Sequence, residues 1–332
     1  MPIKPIIIAT RGSALALAQS NMILAKCRAA FPEQAFELRI IKTTGDKMQT
    51  ASLAQENKTL PKGLFTKELE VALLDQSADL AVHSLKDLPT ELPAGLKLGA
   101  VGGKREDVRD VLIYRDAAFL THHASRFTGN QRGFPPHLKV KDLPAGSVIA
   151  TSSTRRKAQL LAHHGGLKIV DIRGNVATRM QKLVDQPELD ATVLALAGLT
   201  RLNFKITPDG KILGDAVPEG LLAVILDTDV MLPCVGQAAI GIEIRTNDER
   251  LEKICAKLNH PDTFQCVTAE RSFLAAMGGG CQSPVGAHAQ IVGDKIQMRA
   301  ISFLHNTVKR AEGKRPLTEA VELGVQIAGQ LK

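Results

Sequence analysis

His83-Ser84-Leu85-Lys86-Asp87-Leu88-Pro89 is the stretch whose residue types offer the most chemistry in this chain. It follows directly on Leu80-Ala81-Val82, and a short apolar run left through a proline reads as a buried strand of an α/β sheet. Such strands deliver polar residues at their C-terminal ends, where α/β sheets bind ligands. Lys86 and Asp87 are adjacent, so in an extended loop their side chains diverge. One can hold an anion while the other meets a different part of the same ligand. A solvated surface pair is the plainer alternative.

Arginines gather just past the expected strand ends: Arg11, Arg155, Arg156, Arg173, Arg179 and Arg201. A planar guanidinium is favoured where carboxylates are gripped through both oxygens, so a ligand with several carboxylates is the economical reading. Complementing helix C-termini does not explain Arg155 and Arg156, which fall in an expected first turn, where cations are disfavoured. Cys281 lies within Gly278-Gly279-Gly280-Cys281-Gln282-Ser283-Pro284. Three glycines let the backbone bend and leave the sulfur without bulky neighbours, which suits an attachment point or a nucleophile. Cys27 and Cys255, inside expected helices, read as buried small hydrophobes.

These residues need elements to hold them. Ile6 to Thr10 reads as a buried strand, and Ser13 caps a helix running toward Ala30. Arg11-Gly12 between them is a turn whose free N–H groups suit an anion. Phe36 to Ile41 is a second strand, and Thr43 to Lys62, without periodicity, reads as a mobile loop. Thr66 to Gln76 has helical spacing and feeds the strand Asp79 to Val82. Leu96 to Val101 is a further strand. Tyr114 to Gly146, rich in His, Gly, Pro and basic residues, reads as a long surface excursion.

The opening motif then returns: Ile-Ala-Thr-Arg-Gly-Ser at 8–13 is echoed by Ile-Ala-Thr-Ser-Ser-Thr at 149–154, and Gln186 to Gly198 echoes Gln76 to Ser84. Two lobes of one architecture are implied, with a cleft between them, as in ligand-binding domains of the periplasmic-binding-protein type. From Thr268 the pattern changes to a helix (Glu270 to Met277) and two alternating strands, Gly286 to Val292 and Lys295 to Phe303. Gly293-Asp294 joins them as a hairpin signal, and a helix from Leu317 to Leu331 closes a small α+β unit.

A chain of 332 residues suggests two or three domains. The absence of Trp and the presence of a single Tyr argue against base-stacking platforms. A net charge of +8 is spread along the sequence instead of forming a basic tail, so a small anionic ligand is expected and no nucleic acid. Met1 to Ile8 lacks the pattern of a signal peptide and no apolar run reaches membrane-spanning length, so the expectation is a cytoplasmic protein without a membrane partner. Five cysteines without C-x-x-C spacing indicate neither a disulfide framework nor zinc, and the pairs His122-His123 and His163-His164 read as surface residues. No metal is expected.

Several motifs, taken in order, resemble the porphobilinogen deaminase (hydroxymethylbilane synthase) family. They are Ala-Thr-Arg-Gly-Ser at 9–13, Lys-Gly-Leu-Phe-Thr-Lys-Glu-Leu-Glu at 62–70 and Val-His-Ser-Leu-Lys-Asp-Leu-Pro-Thr at 82–90. Thr-Ser-Ser-Thr-Arg-Arg at 151–156, Arg-Gly-Asn-Val-Ala-Thr-Arg at 173–179, Val-Gly-Gln at 235–237 and Gly-Gly-Cys at 279–281 complete the set. The resemblance implies two periplasmic-binding-protein-like α/β domains plus a small C-terminal α+β domain: 1–103 with about 238–258, then 104–237, then 259–332. It implies a monomeric transferase with a dipyrromethane cofactor on Cys281 through a thioether. Four porphobilinogens are added head to tail with loss of ammonia, and hydrolysis releases the linear tetrapyrrole. Asp87 would be the catalytic carboxylate, stabilising the cationic azafulvene that forms as ammonia leaves. Arg11, Ser13, Gln19, Lys62, Ser84, Lys86, Thr151, Ser153, Arg155, Arg156, Arg173, Arg179, Arg201 and Gln237 would bind the carboxylates and rings of cofactor and substrate.

The chain departs from the family pattern in places. Gln55 to Pro61 is longer than usual, with Lys58 as a substitute for an upstream lysine; Tyr114 to Gly146 is longer too; and Ala238 and Gly278 stand where glycine and an acidic residue are common. The alternative from another class is a non-catalytic polycarboxylate-binding protein of the two-lobed periplasmic-binding type.

Overall fold

The structure, a computed structural model, describes residues 4–48, 63–126, 131–215, 217–280 and 282–332. The first lobe starts with β1 (Ile6–Thr10), α1 (Ala14–Ala30), β2 (Phe36–Ile40), α2 (Thr44–Met48), α3 (Lys67–Leu74), β3 (Leu80–Ser84) and β4 (Leu96–Val101). β1 is an apolar strand buried on both faces, and Ser13 ends the turn after it by accepting the Ala16 N–H at 3.3 Å, so α1 begins where the sequence placed its cap.

The second lobe comprises β5 (Asp110–Arg115), α4 (Ala117–His122), β6 (Val148–Ala150), α5 (Thr154–His163), β7 (Lys168–Val170), α6 (Val176–Asp185) and β8 (Ala191–Ala195). It continues with α7 (Leu196–Arg201), the small ribbon β9 (Lys205–Ile206) and β10 (Ile212–Leu213), and β11 (Leu221–Leu226). Ser153 caps α5 by accepting the Arg156 N–H, as Ser13 caps α1. The chain then returns to the first lobe with β12 (Ile240–Arg245) and α8 (Glu249–Leu258).

The two sheets share one topology. The first runs β2-β1-β3-β12-β4 and the second β7-β6-β8-β5-β11; in each the first three strands are parallel and the last two antiparallel to their neighbours. The echoed segments occupy matching places, β1 with β6 and β3 with β8. This is the two-lobed α/β architecture of periplasmic-binding-type domains. Residues 102–109 and 227–239 are the two crossings between the sheets.

The third unit is α9 (Pro261–Ala276), the antiparallel sheet β13 (Val285–Val292), β14 (Lys295–Ser302) and β15 (Lys309–Pro316), and α10 (Ala320–Leu331). Phe273, Leu323, Ile327, Ile296 and Met298 form its core. α9 and α10 approach so closely that a Cβ on Gly324 would lie 2.2 Å from the Ala269 carbonyl oxygen.

Four sequence expectations need correction. The segment read as a loop from Thr43 contains α2, while residues 49–62 lie outside the described residues. Tyr114 to Gly146 is not a surface excursion: Tyr114, Phe134, Leu138, Val140 and Leu143 are buried in one core of the second lobe, and Tyr114 and Phe134 meet edge to face at 6.2 Å between ring centroids. The helix expected from Glu270 starts at Pro261, because His260 accepts the Thr263 N–H as its cap and proline suits the first turn. The C-terminal sheet has a third strand, β15, and the closing helix α10 follows it.

Candidate functional site

Asp87 is positioned by what surrounds its turn. After β3 the chain makes one 3₁₀ turn, Leu85–Asp87, pinned when the Leu85 N–H donates to the Ala239 carbonyl at 3.0 Å. Leu85 and Leu88 are buried, which leaves Lys86 and Asp87 facing the junction of the lobes. Gly236, at φ +71°, lets the second crossing lie against this turn; a Cβ there would stand 3.3 Å from the Lys86 nitrogen. Behind the turn, Gln19 donates to Ser84 Oγ at 3.0 Å.

A cavity of about 170 Å³ forms at that junction, lined by Lys86 and Asp87 from the first lobe and by Ser153, Arg155 and Arg156 from the second. The second crossing contributes Cys234, Val235 and Gln237, and the third unit Leu274, Gly280, Ser283 and Val285. The structure therefore brings together six of the site residues read from the sequence.

Arg155 and Arg156 meet an unanticipated partner. Asp110, at the start of β5 and fully buried, accepts from Arg155 Nη2 at 2.8 Å, from Arg156 Nη2 at 2.7 Å and from Gln237 Nε2 at 3.0 Å. Burial alone would raise the Asp110 carboxyl, but the Arg156 and Arg155 guanidinium groups hold it far below the usual carboxylate range. Two cations on one anion leave a positive charge over. The Nε–H groups of both arginines are buried and have no acceptor among the described residues. That arrangement fits carboxylate groups in the cavity, the donor set a dipyrromethane with its acetates and propionates would require.

The remaining sequence-predicted residues surround this centre. Arg179 is pulled down to about 10, first by burial and then by Arg156, with Asp87 opposing; it therefore senses both residues. Its Nε donates to the Gly174 carbonyl, and Arg173 nearby is exposed. Thr151 accepts the Ser153 N–H at 3.3 Å. Arg201 donates to Glu106 in the first crossing and to the Ala238 carbonyl in the second, so it braces both. Arg11 is held by Asp46 at 2.5 Å and lies over the Phe65 ring at 4.2 Å, and it is not among the residues that line the cavity. Lys62, Lys58 and Cys281 lie outside the described residues, although Gly280 and Gln282 on either side of Cys281 are described. The Gln282 carbonyl accepts from Thr154 Oγ1 at 2.7 Å, which ties that turn to the first residue of α5.

A clamp fixes the third unit against the lobes. Arg105 in the first crossing grips Glu270 of α9 with both terminal nitrogens, at 2.6 and 2.9 Å, and its Nε donates to the Gln237 carbonyl. Glu270 also accepts the N–H groups of Gly236 and Ala289, each at 2.8 Å. Sequence reasoning missed Asp110, Asp46 and this clamp. Asp110 lay at the end of a charged run, and its partners are more than forty positions away.

Fold and cavity together define a class: a two-lobed α/β protein whose junction, bordered by a small third unit, gathers Lys86, Arg155 and Arg156 around a single lining carboxylate, Asp87. Comparison with known proteins makes this particular. Residues 6–253 match the family model "Porphobilinogen deaminase, dipyromethane cofactor binding domain", and residues 264–332 match "Porphobilinogen deaminase, C-terminal domain". The porphobilinogen deaminase of Desulforamulus reducens is 39% identical over 328 residues, 98% of this chain and 94% of that protein. Those of Geobacter metallireducens and Thermus thermophilus are 40% and 39% identical, over 99% and 97% of this chain and 91% and 94% of their own. Among solved structures, the methionine-binding protein MetQ overlaps 78% of this chain and 89% of its own at 11% identity and a TM-score of 0.39. The chain belongs to the porphobilinogen deaminase family. It is an enzyme, a transferase of tetrapyrrole biosynthesis with a dipyrromethane cofactor.

Proposed function

We propose that the cavity around Asp87 is where four porphobilinogen molecules are joined in turn, each with loss of ammonia, before hydrolysis releases the linear hydroxymethylbilane. The observation that carries this reading is one carboxylate, Asp87, in a cavity whose other charged walls are Lys86, Arg155 and Arg156. Dipyrromethane, linked by a thioether to Cys281, supplies the pyrrole carbon to which the first substrate ring is joined. Arg155 and Arg156 offer their unpaired N–H groups to acetate and propionate, and Lys86 adds an ammonium. Ser153, Thr151, Gln237, Arg173, Arg179, Arg201, Arg11, Ser13, Gln19, Ser84 and Lys62 serve the same ligands along the cleft. Asp87 gives a proton to the departing amine and then stands as an anion beside the pyrrole that becomes cationic.

The division of labour follows 1–103 with about 238–258, 104–237 and 259–332, in keeping with the two sheets and the third unit. The enzyme works as a cytoplasmic monomer on porphobilinogen, with neither nucleic acid nor membrane as partner. Among the described residues no helix is long and apolar enough to cross a membrane. The non-catalytic binding alternative is disfavoured by family membership.

Asp87→Asn keeps the shape and removes the charge and the proton. With cofactor loading verified by intact mass, turnover should fall about 10²–10⁴-fold, the range of general acid–base groups, and Asp87→Glu should lose less. Bilane release by the Asn variant within a few-fold of the parent would remove Asp87 from the reaction, and a parent mass equal to the bare chain would remove the cofactor from Cys281.

A further inference from the structure

The turn that carries Asp87 is pinned on both sides, and the second pin comes from the third unit. Ahead of Asp87, the Leu85 N–H donates to the Ala239 carbonyl at 3.0 Å. Behind it the chain passes through Leu88-Pro89-Thr90, which belongs to no helix or strand and in which Pro89 offers no N–H. This stretch is held by its carbonyls. Arg271 of α9 donates from Nη1 to the Leu88 carbonyl at 3.0 Å, and from Nη2 to those of Pro89 at 2.6 Å and Thr90 at 3.4 Å. A guanidinium presents its donors in one rigid plane, so three consecutive carbonyls gripped by one side chain are fixed as a unit.

The packing of α9 supplies an independent observation. Val267 and Phe264, one and two turns before Arg271 on the same face of the helix, share a core with Leu85 and Leu88. Glu270, about 100° further round the helix, faces Arg105 instead. From this contact α9 continues to Ala276 and leads into Gly278-Gly279-Gly280-Cys281. One helix thus lies against the Asp87 turn and runs on to the cofactor's expected attachment point.

We infer that Arg271 is a positioning residue of the reaction: it registers the helix leading to the cofactor against the turn bearing Asp87, and so sets where that carboxylate stands. Arg271 acts through Asp87, since it is not among the described residues that line the cavity. The inference rests on the reading of Asp87 as the catalytic carboxylate.

The test uses holoenzyme whose cofactor load has been verified by intact mass, and follows ammonia release in the first ring addition at varied porphobilinogen. Arg271→Met should lower the maximal rate about 10–100-fold, the scale of a displacement of about 1 Å at the reacting centre. The half-saturating concentration should stay within about twofold of the parent, and Arg271→Lys, with one nitrogen in place of a planar fork, should recover part of the rate. In an Asp87→Asn background Arg271→Met should cost no more than about twofold, because the group it positions has lost its function. A merely structural residue would cost the same factor in both backgrounds. Equal losses in the two backgrounds, a parental maximal rate in Arg271→Met, or a loss confined to the half-saturating concentration would each overturn the inference. Should Arg271→Met fail to fold or to load cofactor, the same cycle is read in Arg271→Lys, whose loss must exceed about twofold and vanish beside Asp87→Asn. An Asp87→Asn variant within a few-fold of the parent would remove the catalytic reading and the inference with it, whereas a crippled Asp87→Asn beside a fully active Arg271→Met would remove the inference alone.

Discussion

Asp110→Asn should be among the most damaging conservative substitutions in this protein. The carboxylate accepts two charge-assisted hydrogen bonds, at 2.8 and 2.7 Å, from Arg155 and Arg156, and one amide bond from Gln237 at 3.0 Å. Asparagine keeps the size and one acceptor but leaves two buried guanidinium groups without their anion. Two charge-assisted bonds at about 1.5–3 kcal/mol each set a scale of about 3–6 kcal/mol. Removal of one partner of a buried pair generally costs about 3–5 kcal/mol, so the lower part of that scale is expected. The assay is urea unfolding followed by circular dichroism, with Arg156→Met and the double variant completing a cycle. Because removing Arg156 relieves part of the stranded charge, the double variant should be less destabilised than the sum of the singles, by about 1 kcal/mol or more. The pH dependence has a fixed sign. A folded carboxyl held below its unfolded value contributes stability that is complete above the unfolded value and is lost as pH falls through the folded one. The parent should therefore begin to lose this contribution as pH falls below the ordinary carboxylate range and lose all of it at strongly acid pH, and Asp110→Asn should lack it throughout. A variant within about 1 kcal/mol of the parent, or strict additivity in the cycle, would refute the account of Asp110 as the anchor of both arginines.

Two further substitutions read the backbone. Gly324→Ala puts a Cβ 2.2 Å from the Ala269 carbonyl and 2.6 Å from the Phe273 nitrogen, backbone atoms that cannot swing aside, so α9 and α10 must separate. Overpacking of this kind costs about 1–3 kcal/mol, to be read as a lowered urea midpoint; an unchanged midpoint would mean that the helices are not in such close contact. Ala238 sits at φ +69°, where a side chain costs about 1–2 kcal/mol that glycine avoids. Ala238→Gly should therefore stabilise the chain slightly, because glycine's added unfolded-state freedom offsets only about 0.5–1 kcal/mol of that relief. A lowered melting temperature would contradict it.

The parts of the fold that were legible from sequence are those whose signals are local. Ile6 to Thr10 followed by Ser13 needs nothing beyond its own residues to announce a strand and a capped helix, and Gly293-Asp294 between alternating runs announces its hairpin. β15 escaped notice because it is an edge strand of charged residues, Lys309, Arg310, Lys314 and Arg315 among them, with no apolar alternation to mark it. The buried residues Phe134, Leu138, Val140 and Leu143 are spaced by tertiary contact with β5 and α5, not by a helical or strand period, so they passed for a surface segment. At the site, Asp87, Arg155 and Arg156 stood out by motif and place. Their arrangement did not, since it depends on an aspartate 45 and 46 positions from its two arginines.

The return of the chain to the first lobe sets an order for its making. β12 lies between β3 and β4, the fourth of the five strands of the first sheet, yet its residues, Ile240–Arg245, follow the whole of the second lobe in sequence. As the polypeptide leaves the ribosome, residues 110–226 provide every strand of the second sheet before the strand that joins β3 to β4 in the first has been synthesised. The amino-terminal lobe is thus the later of the two to close. Until β12 emerges, β3 and β4 keep open edges, and unpaired edges invite the wrong partners. The half of the protein that carries Asp87 therefore waits in nascent form for a strand coded more than 150 residues downstream of it.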